Sequence, residues 1–297
     1  MALTVAKFGG TSMGSADSIN SVANIIEKME GKKAIVVSAT SGTTDALIQL
    51  GLDALNGEAW VEDLNGLKEK HQVICDGLKV EVELDDLWQD LEKLIQGVSL
   101  LEELSEQSRD RLQTFGERIS SRILAEVLKA RGHYSEAFDA YELVQCDDNF
   151  GEGNVDFDTT NKKVAERVGE YIKNGGVPVI TGFVGCSNSG EYITLGRGGS
   201  DYTGAIIAAA LHANELQIWT DVDGIYQTDP RLVKTAKVLE SLSFSEAGEL
   251  AYFGAKVLHP KTIKPAVAEN IPVRILNTFN PSAEGTVITN EEEESLK

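Results

Sequence analysis

Residues 194–204 read TLGRGGSDYTG, and the alanine-rich run 205–211 follows at once. The entry at 191–195 is typical of a β-strand, so the pattern predicts a strand, a glycine-rich loop and a helix with Ser200 near its N-cap. Such a helix start presents unpaired backbone N–H groups and the positive end of the helix dipole. Arg197 adds a fork of donors that fits a carboxylate or a phosphate. The stretch therefore predicts an anion site; the alternative is a tight turn with a solvated arginine.

Short apolar runs alternate with helical stretches along the rest of the chain. The strand-like runs are residues 4–8, 34–38, 177–181, 216–220 and 273–276, and leucine-spaced amphipathic helices are predicted over residues 84–104 and 108–129. This alternation favours an α/β fold with a largely parallel sheet that is covered on both faces. Glycine and serine within residues 179–194 predict a hairpin over the edge of the sheet.

Composition excludes several classes of function. The 297 residues are 42% hydrophobic, so the chain can bury a sizeable core. Forty-seven acidic against 27 basic residues give a formal charge of −20, which argues against nucleic acid or an anionic membrane as a partner. Three widely spaced cysteines suggest neither a disulfide framework nor a zinc site. With no leader pattern and no run of 18 apolar residues, we expect a soluble cytoplasmic protein.

A lysine inside the first apolar run is a second candidate for anion binding. Lys7 is followed by Gly9, Gly10, Thr11 and Ser12. A lysine in an apolar strand is costly unless it meets an anion, although an edge-strand lysine pointing to water remains an alternative. Adjacent glycines match neither the Walker A loop nor the Gly-x-Gly-x-x-Gly dinucleotide fingerprint, which disfavours a Rossmann dehydrogenase.

Other polar stretches follow predicted strands. Residues 39–45 form a hydroxyl-rich loop that suits either a ligand or the N-cap of the next helix. Gly116 inside a helical pattern indicates a close approach by a ligand or by backbone. In residues 219–231, Asp221, Asp223 and Asp229 suit a Mg²⁺ ion beside phosphates, although Asp-Gly and Asp-Pro are also ordinary turn formers.

The last polar stretch, residues 253–260, contains a lysine and a histidine before a proline. Lys256 favours a phosphate contact, whereas His259 is interpreted as structural. The other histidines, His71, His133 and His212, have no metal-ligand spacing and are assigned no role.

Together these blocks resemble the aspartate kinases of the amino acid kinase superfamily. The matching blocks are 7–12 (KFGGTS), 37–44 (VSATSGTT), 115–117 (FGE), 182–183 (GF), 194–203 (TLGRGGSDYT), 219–231 (WTDVDGIYQTDPR) and 253–260 (FGAKVLHP). The resemblance implies a three-layer α/β sandwich with about eight mainly parallel strands. It also implies transfer of the ATP γ-phosphoryl group to the β-carboxylate of L-aspartate, the entry to lysine, threonine, methionine and diaminopimelate biosynthesis.

The resemblance also implies residue roles. Lys7 and Asp201 would be catalytic, with Asp201 organising the lysine. Arg197 would clamp the substrate α-carboxylate and Glu117 would meet the α-ammonium group. Further substrate contacts would be Ser38, Thr44 and Ser200. ATP contacts would be Lys7, Gly9, Gly10, Ser12, Thr220, Asp221, Tyr226, Arg231, Lys256 and Val257, with Mg²⁺ carried on the ATP phosphates rather than by an assigned protein ligand.

The chain departs from the family at its C-terminal end. We expect a catalytic domain over residues 1–290, with a substrate lobe at about 1–195 and a nucleotide lobe at about 196–290, and an acidic tail at 291–297. We expect no ACT regulatory domain and therefore insensitivity to amino-acid feedback, and a homodimer is one alternative for the quaternary structure. The alternative functions are a related kinase acting on glutamate or acetylglutamate and a catalytically silent regulatory paralogue.

Overall fold

The computed structural model describes residues 2–228, 232–252 and 260–290. Within these ranges the chain forms ten β-strands and ten α-helices. The strands are β1 (Leu3–Phe8), β2 (Lys32–Val37), β3 (Ser135–Phe138), β4 (Val177–Thr181), β5 (Val184–Cys186), β6 (Tyr192–Thr194), β7 (Glu215–Thr220), β8 (Ser241–Ser243), β9 (Val273–Asn277) and β10 (Thr286–Thr289).

The helices fall into two groups along the chain. The first group is α1 (Ala16–Lys28), α2 (Thr43–Leu55), α3 (Val61–Leu78), α4 (Asp85–Leu101) and α5 (Glu106–Ala130). The second group is α6 (Phe157–Val164), α7 (Glu170–Lys173), α8 (Gly199–Ala210), α9 (Phe244–Tyr252) and α10 (Lys264–Ala268). A π-helical turn (Ala165–Gly169) joins α6 to α7, and 3₁₀ turns occupy Ala140–Glu142 and Pro260–Ile263. Serine hydroxyls cap two helix starts: Ser15 accepts from the Ser18 backbone N–H, and Ser105 from that of Ser108.

Eight strands form one sheet in the order β3-β4-β2-β1-β7-β9-β10-β8, and every neighbouring pair is parallel except β9 with β10. Successive side chains of a strand point to opposite faces, so β1 sends Ala6 and Phe8 into one core and Val5 into the other. The core containing Phe8 packs beneath α1–α5, and the core containing Val5 packs beneath α6–α10. The predicted three-layer α/β sandwich is confirmed.

The predicted elements have close counterparts. All five strand-like runs are strands, and the two amphipathic segments are α4 and α5. The predicted hairpin is the antiparallel pair β5–β6, whereas the first residues assigned to it belong to β4. The division into lobes near residue 195 stays a prediction, since β1 and β7 are adjacent strands of one sheet. The acidic tail, residues 291–297, lies outside the described residues.

Candidate active site

The ends of the central parallel strands place Lys7 opposite a carboxylate. Lys7 lies in β1 between Val36 of β2 and Ile218 of β7, and its side chain points toward α8. Its Nζ is 2.6 Å from Oδ1 of Asp201, which occupies the first turn of α8, and both side chains are largely buried. The ion pair compensates the cost of burying the lysine and fixes the direction of its ammonium group. The sequence alternative of a lysine pointing to water is excluded.

The start of α8 corrects one sequence prediction. Its N-cap is Gly198, with φ 71°, and no side chain caps the helix. Ser200, predicted near the N-cap, instead lies inside the first turn, because the cap needs a left-handed backbone that glycine adopts without strain. Ser200 is buried and lines a cavity. The predicted glycine loop and helix start are therefore present, but the free N–H groups are not occupied by a serine hydroxyl.

A cavity of about 660 Å³ gathers the predicted catalytic and substrate residues. It is lined by Lys7, Asp201, Ser38, Thr44, Glu117, Arg197 and Ser200, together with residues from α5 and from the loop before α6. These side chains come from β1, the β2–α2 connection, α2, α5, the β6–α8 loop and α8. The structure thus brings together every residue that the resemblance placed at the substrate.

Glu117 is the most unusual charge in this cavity. Only 3% of its surface is exposed, and its Oε2 has no hydrogen-bond partner. Burial raises the pKa of the Glu117 carboxyl to about 8, although a hydrogen bond from the Ala39 backbone and the charge of Lys7 act in the opposite direction. Such a carboxylate is ready to pair with a cation that enters the cavity.

Arg197 provides the opposite charge. It follows the αL-configured Gly196 in the loop before α8, and its side chain is exposed. Within the described ranges, the Arg197 guanidinium has no ion pair or hydrogen bond. Among the described residues, neither Glu117 Oε2 nor the Arg197 guanidinium has a partner, which matches a ligand with an ammonium and a carboxylate group.

A second cavity of about 450 Å³ adjoins the first. Gly9, Gly10, Thr220 and the loop of residues 38–42 line it, and Ser38, Thr44, Asp45 and Glu117 line both cavities. The start of α2, capped by Gly42, faces this second cavity. Two helix N-termini, those of α2 and α8, thus converge near Lys7, as expected of a site for anionic groups.

The glycine inside α5 has the close contact that its sequence context predicts. A Cβ atom on Gly116 would lie 2.6 Å from Cβ of Ala39. Only glycine lets α5 approach the end of β2 so closely, and this approach brings the neighbouring Glu117 to the junction of the two cavities.

The remaining nucleotide candidates are more scattered. Thr220 ends β7 and donates to the exposed Asp221 carboxylate at 3.0 Å. Tyr226 pairs with Val238 in an isolated antiparallel bridge. Ser12 is fully buried and lies 2.7 Å from the Thr278 hydroxyl, so it lines neither cavity. Arg231, Lys256 and Val257, and also Asp229 and His259, lie outside the described residues.

Asp110 is a buried carboxylate that the sequence reasoning missed. It lines the first cavity and accepts hydrogen bonds from the backbone N–H groups of Gly151 and Thr194, each at 2.8 Å, and from the Thr194 hydroxyl at 3.1 Å. Burial raises the pKa of the Asp110 carboxyl despite these bonds. Asp110 therefore ties α5 to the end of β6, from which the Arg197 loop departs. A charged residue seven positions before Glu117, on the same helix face, is the signal that could have identified it.

No group of three or more histidine, cysteine, aspartate or glutamate residues among residues 2–228, 232–252 and 260–290 could hold a metal ion. Among the helices of residues 2–228, 232–252 and 260–290, none combines the length and the apolar composition that a membrane span requires.

Comparison with known proteins gives consistent matches over most of the chain. Residues 2–277 match the model of the amino acid kinase family. Aspartokinase 3, chloroplastic, of Arabidopsis thaliana is 40% identical over 294 residues, covering 96% of this chain and 52% of the relative. Lysine-sensitive aspartokinase 3 of Escherichia coli is 36% identical over 296 residues, covering 98% of this chain and 65% of the relative. The chain thus spans about half to two thirds of the length of these relatives.

Solved structures share the same architecture. E. coli aspartokinase III in complex with aspartate and ADP superposes with a TM-score of 0.90 at 35% identity, covering 98% of this chain and 65% of that one. A UMP kinase from Bacillus anthracis, with a TM-score of 0.57 at 15% identity, covers 98% of this chain and 97% of its own, and shares the fold alone.

Proposed function

Because the chain belongs to the amino acid kinase family, we propose that it transfers the γ-phosphoryl group of ATP to the β-carboxylate of L-aspartate. The products are 4-phospho-L-aspartate and ADP. Similarity to aspartokinases over at least 96% of the chain supports this reaction, as does the likeness to a structure that contains aspartate and ADP.

One observation carries the choice of an amino acid as acceptor. Glu117 and Arg197 line the same cavity and carry opposite formal charges. Within the described residues, neither Glu117 Oε2 nor the Arg197 guanidinium has a partner. An α-amino acid with a free amine offers an ammonium to the first and a carboxylate to the second. An acetylated amine carries no positive charge, so it would not supply the cation that favours the ionised form of the buried Glu117 carboxyl. This arrangement supports a free amino acid over acetylglutamate.

Phosphoryl transfer in this site rests on position and charge. A β-carboxylate oxygen of the acceptor bonds to the γ-phosphorus, and the bond from that phosphorus to the bridging oxygen of ADP breaks. Lys7, aimed by Asp201, stabilises the negative charge on the transferring group. The N-termini of α2 and α8 add dipoles of the same sign at the two cavities. No covalent intermediate with the protein is required.

Magnesium fits this site as an ion that the nucleotide brings. Mg²⁺ usually binds through one or two carboxylates plus substrate phosphates, and Asp45 and Asp221 are exposed carboxylates at this end of the sheet. These two residues would hold the ion, which neutralises phosphate charge when bound. A cytoplasmic location, the homodimer alternative and insensitivity to feedback stay predictions.

The proposed reaction is tested by trapping the acyl phosphate. The protein is incubated with ATP, Mg²⁺, hydroxylamine and aspartate, and parallel reactions contain glutamate or acetylglutamate. We expect hydroxamate with aspartate and little with the other two. Absence of ATP-dependent hydroxamate with all three would contradict the enzyme hypothesis, and a preference for glutamate would favour the alternative kinase. Lysine and threonine are added separately to test the expected insensitivity to both.

A further inference from the structure

The loop between β2 and α2 is held from outside the active site by two consecutive residues of α3. Residues 38–42 of this loop line the second cavity, together with Gly9 and Gly10, which follow β1. At most 1% of the surface of Thr40 and of Thr43 is exposed, so their hydroxyls need hydrogen-bond partners inside the protein. The partners are His71 and Lys70.

These hydrogen bonds form a continuous series in which each hydroxyl donates to one neighbour and accepts from the other. His71 Nδ1 lies 2.8 Å from the Leu67 carbonyl, which can only accept, so this nitrogen carries the proton. In the neutral ring, Nε2 then accepts from the Thr40 hydroxyl at 3.0 Å. Thr40 Oγ1 accepts in turn from the Thr43 hydroxyl at 2.5 Å, and Thr43 Oγ1 accepts from Lys70 Nζ at 3.0 Å. Each donor in this series of hydrogen bonds has an acceptor, and one arrangement of protons satisfies all four bonds.

Two further bonds secure the loop. Lys70 Nζ donates to the Ser41 carbonyl at 2.6 Å, and the Thr43 backbone N–H donates to the Thr40 carbonyl at 2.9 Å. His71 is completely buried, and burial lowers its pKa to about 4, so the ring stays neutral near pH 7. A neutral His71 preserves the direction of this series of hydrogen bonds.

We propose that His71 and Lys70 are positioning residues that fix the loop of residues 40–43 in the shape that receives the phosphates. This inference rests on the proposed function. Neither residue lines either of the two active-site cavities, so both act through the loop. The helix start at Gly42 and the lining residue Thr44 are the parts of the site whose positions depend on this support.

A matched pair of substitutions at Thr40 isolates the hydroxyl. Thr40→Val keeps the shape but breaks the series of hydrogen bonds at its centre, and leaves His71 Nε2 without a donor. We expect kcat/KM for ATP to fall about tenfold or more and KM for aspartate to rise as well, because the predicted substrate contacts Ser38 and Thr44 flank the same loop. Thr40→Ser restores the hydroxyl and should recover most of the loss. Gln72→Ala, an exposed change on the same helix, controls for altered stability of α3.

His71 is tested in the same way. His71→Asn can keep the donor to the Leu67 carbonyl but has no acceptor at the Nε2 position, whereas His71→Gln offers an acceptor there. We expect the asparagine variant to lose activity like Thr40→Val and the glutamine variant to lose less. If both substitutions lower the melting temperature equally and leave kcat/KM for ATP unchanged, His71 is only a core residue and the proposal is wrong.

Hydrogen exchange separates this proposal from the proposed function. Without ligand, the amides of residues 40–43 should exchange about tenfold faster in Thr40→Val than in the wild type, while the rest of α2 keeps its protection. Affinity for Mg·ADP, measured by calorimetry, should fall in parallel. If the wild type makes no hydroxamate from aspartate, the proposed function fails, and the positioning role is then decided by these two measurements. Unchanged loop exchange or unchanged Mg·ADP affinity in Thr40→Val overturns it.

Discussion

Two pairs of oppositely charged residues line the first cavity, and they differ in whether they have partners. Lys7 and Asp201 contact each other at 2.6 Å and are largely buried. Glu117 is buried with one oxygen unpartnered, and Arg197 is exposed without a partner in the described part of the chain. The paired charges are organised before any ligand arrives. The unpaired charges indicate where the ligand must supply the missing partners, so pairing distinguishes catalytic groups from substrate-binding groups.

The largest expected effect on activity follows from breaking the ion pair between Lys7 and Asp201. Lys7→Ala should lower kcat by about a thousandfold, because it removes a preorganised positive charge at the transferring phosphoryl group. The hydroxamate assay measures the loss, and circular dichroism checks that the variant folds. A kcat near that of the wild type would show that Lys7 has no catalytic role.

A smaller loss is expected at the unpaired arginine. Arg197→Gln should raise KM for aspartate about a hundredfold and leave KM for ATP nearly unchanged, because it removes a bidentate contact to the α-carboxylate. Since Arg197 has no partner among the described residues, the melting temperature should not fall. Arg122→Gln, which removes an ion pair with Asp86 away from the cavity, serves as the control. Equal effects of the two substitutions on KM would refute the clamp.

The Glu117 carboxyl should make KM for aspartate depend on pH. With the Glu117 pKa near 8, the ionised form that pairs with the ammonium is the minority at pH 7. KM for aspartate should therefore rise about tenfold for each pH unit below 7 and level off above 8. Glu117→Gln should remove this dependence and should melt no lower than the wild type at pH 8, because glutamine has no charge to bury. A wild-type KM that is flat from pH 6 to 8 would contradict the role.

The smallest effect is expected at Asp110, which is not proposed to contact aspartate or ATP. Asp110→Ala leaves the donors of Gly151 and Thr194 without an acceptor and should destabilise the fold by about 2 kcal/mol. KM for aspartate should rise only a few-fold, through displacement of the Arg197 loop. Asp110→Asn retains one acceptor oxygen, so its stability and its KM for aspartate should lie between those of the wild type and those of Asp110→Ala. A loss in kcat as large as that of Lys7→Ala would mean that Asp110 takes part in the chemistry.

The sequence predicts the central strands and the glycine loop of the site better than the edges of the sheet. The strand containing Lys7 and the glycine loop before Asp201 have local patterns, so their structures are predictable from short windows. The edge strands β3 and β8 are only four and three residues long, too short for a periodic signal. The sequence favours Ser200 near the N-cap of α8, whereas the N-cap is Gly198, because a glycine cap gives no comparable signal.

Burial of single polar residues is a tertiary fact that local patterns do not contain. Asp110 stands among charged neighbours in α5 and resembles a solvated helix face, yet it is 1% exposed. His71 stands in an amphipathic helix without ligand spacing, and its contact with Thr40 spans 31 positions of sequence. Gly116 is the exception, because the cost of glycine within a helix itself indicates a close approach.

Proton release on aspartate binding is the sharpest test of the role of the Glu117 carboxyl. Calorimetric titrations at pH 7 in buffers of different ionisation enthalpy count the protons exchanged. With a Glu117 pKa of about 8, the carboxyl is mostly protonated at pH 7, and pairing with the ammonium should release close to one proton. Release should vanish above pH 9 and in Glu117→Gln. No release by the wild type at pH 7, or equal release by Glu117→Gln, would contradict the claim that this carboxyl waits unpaired for the substrate ammonium.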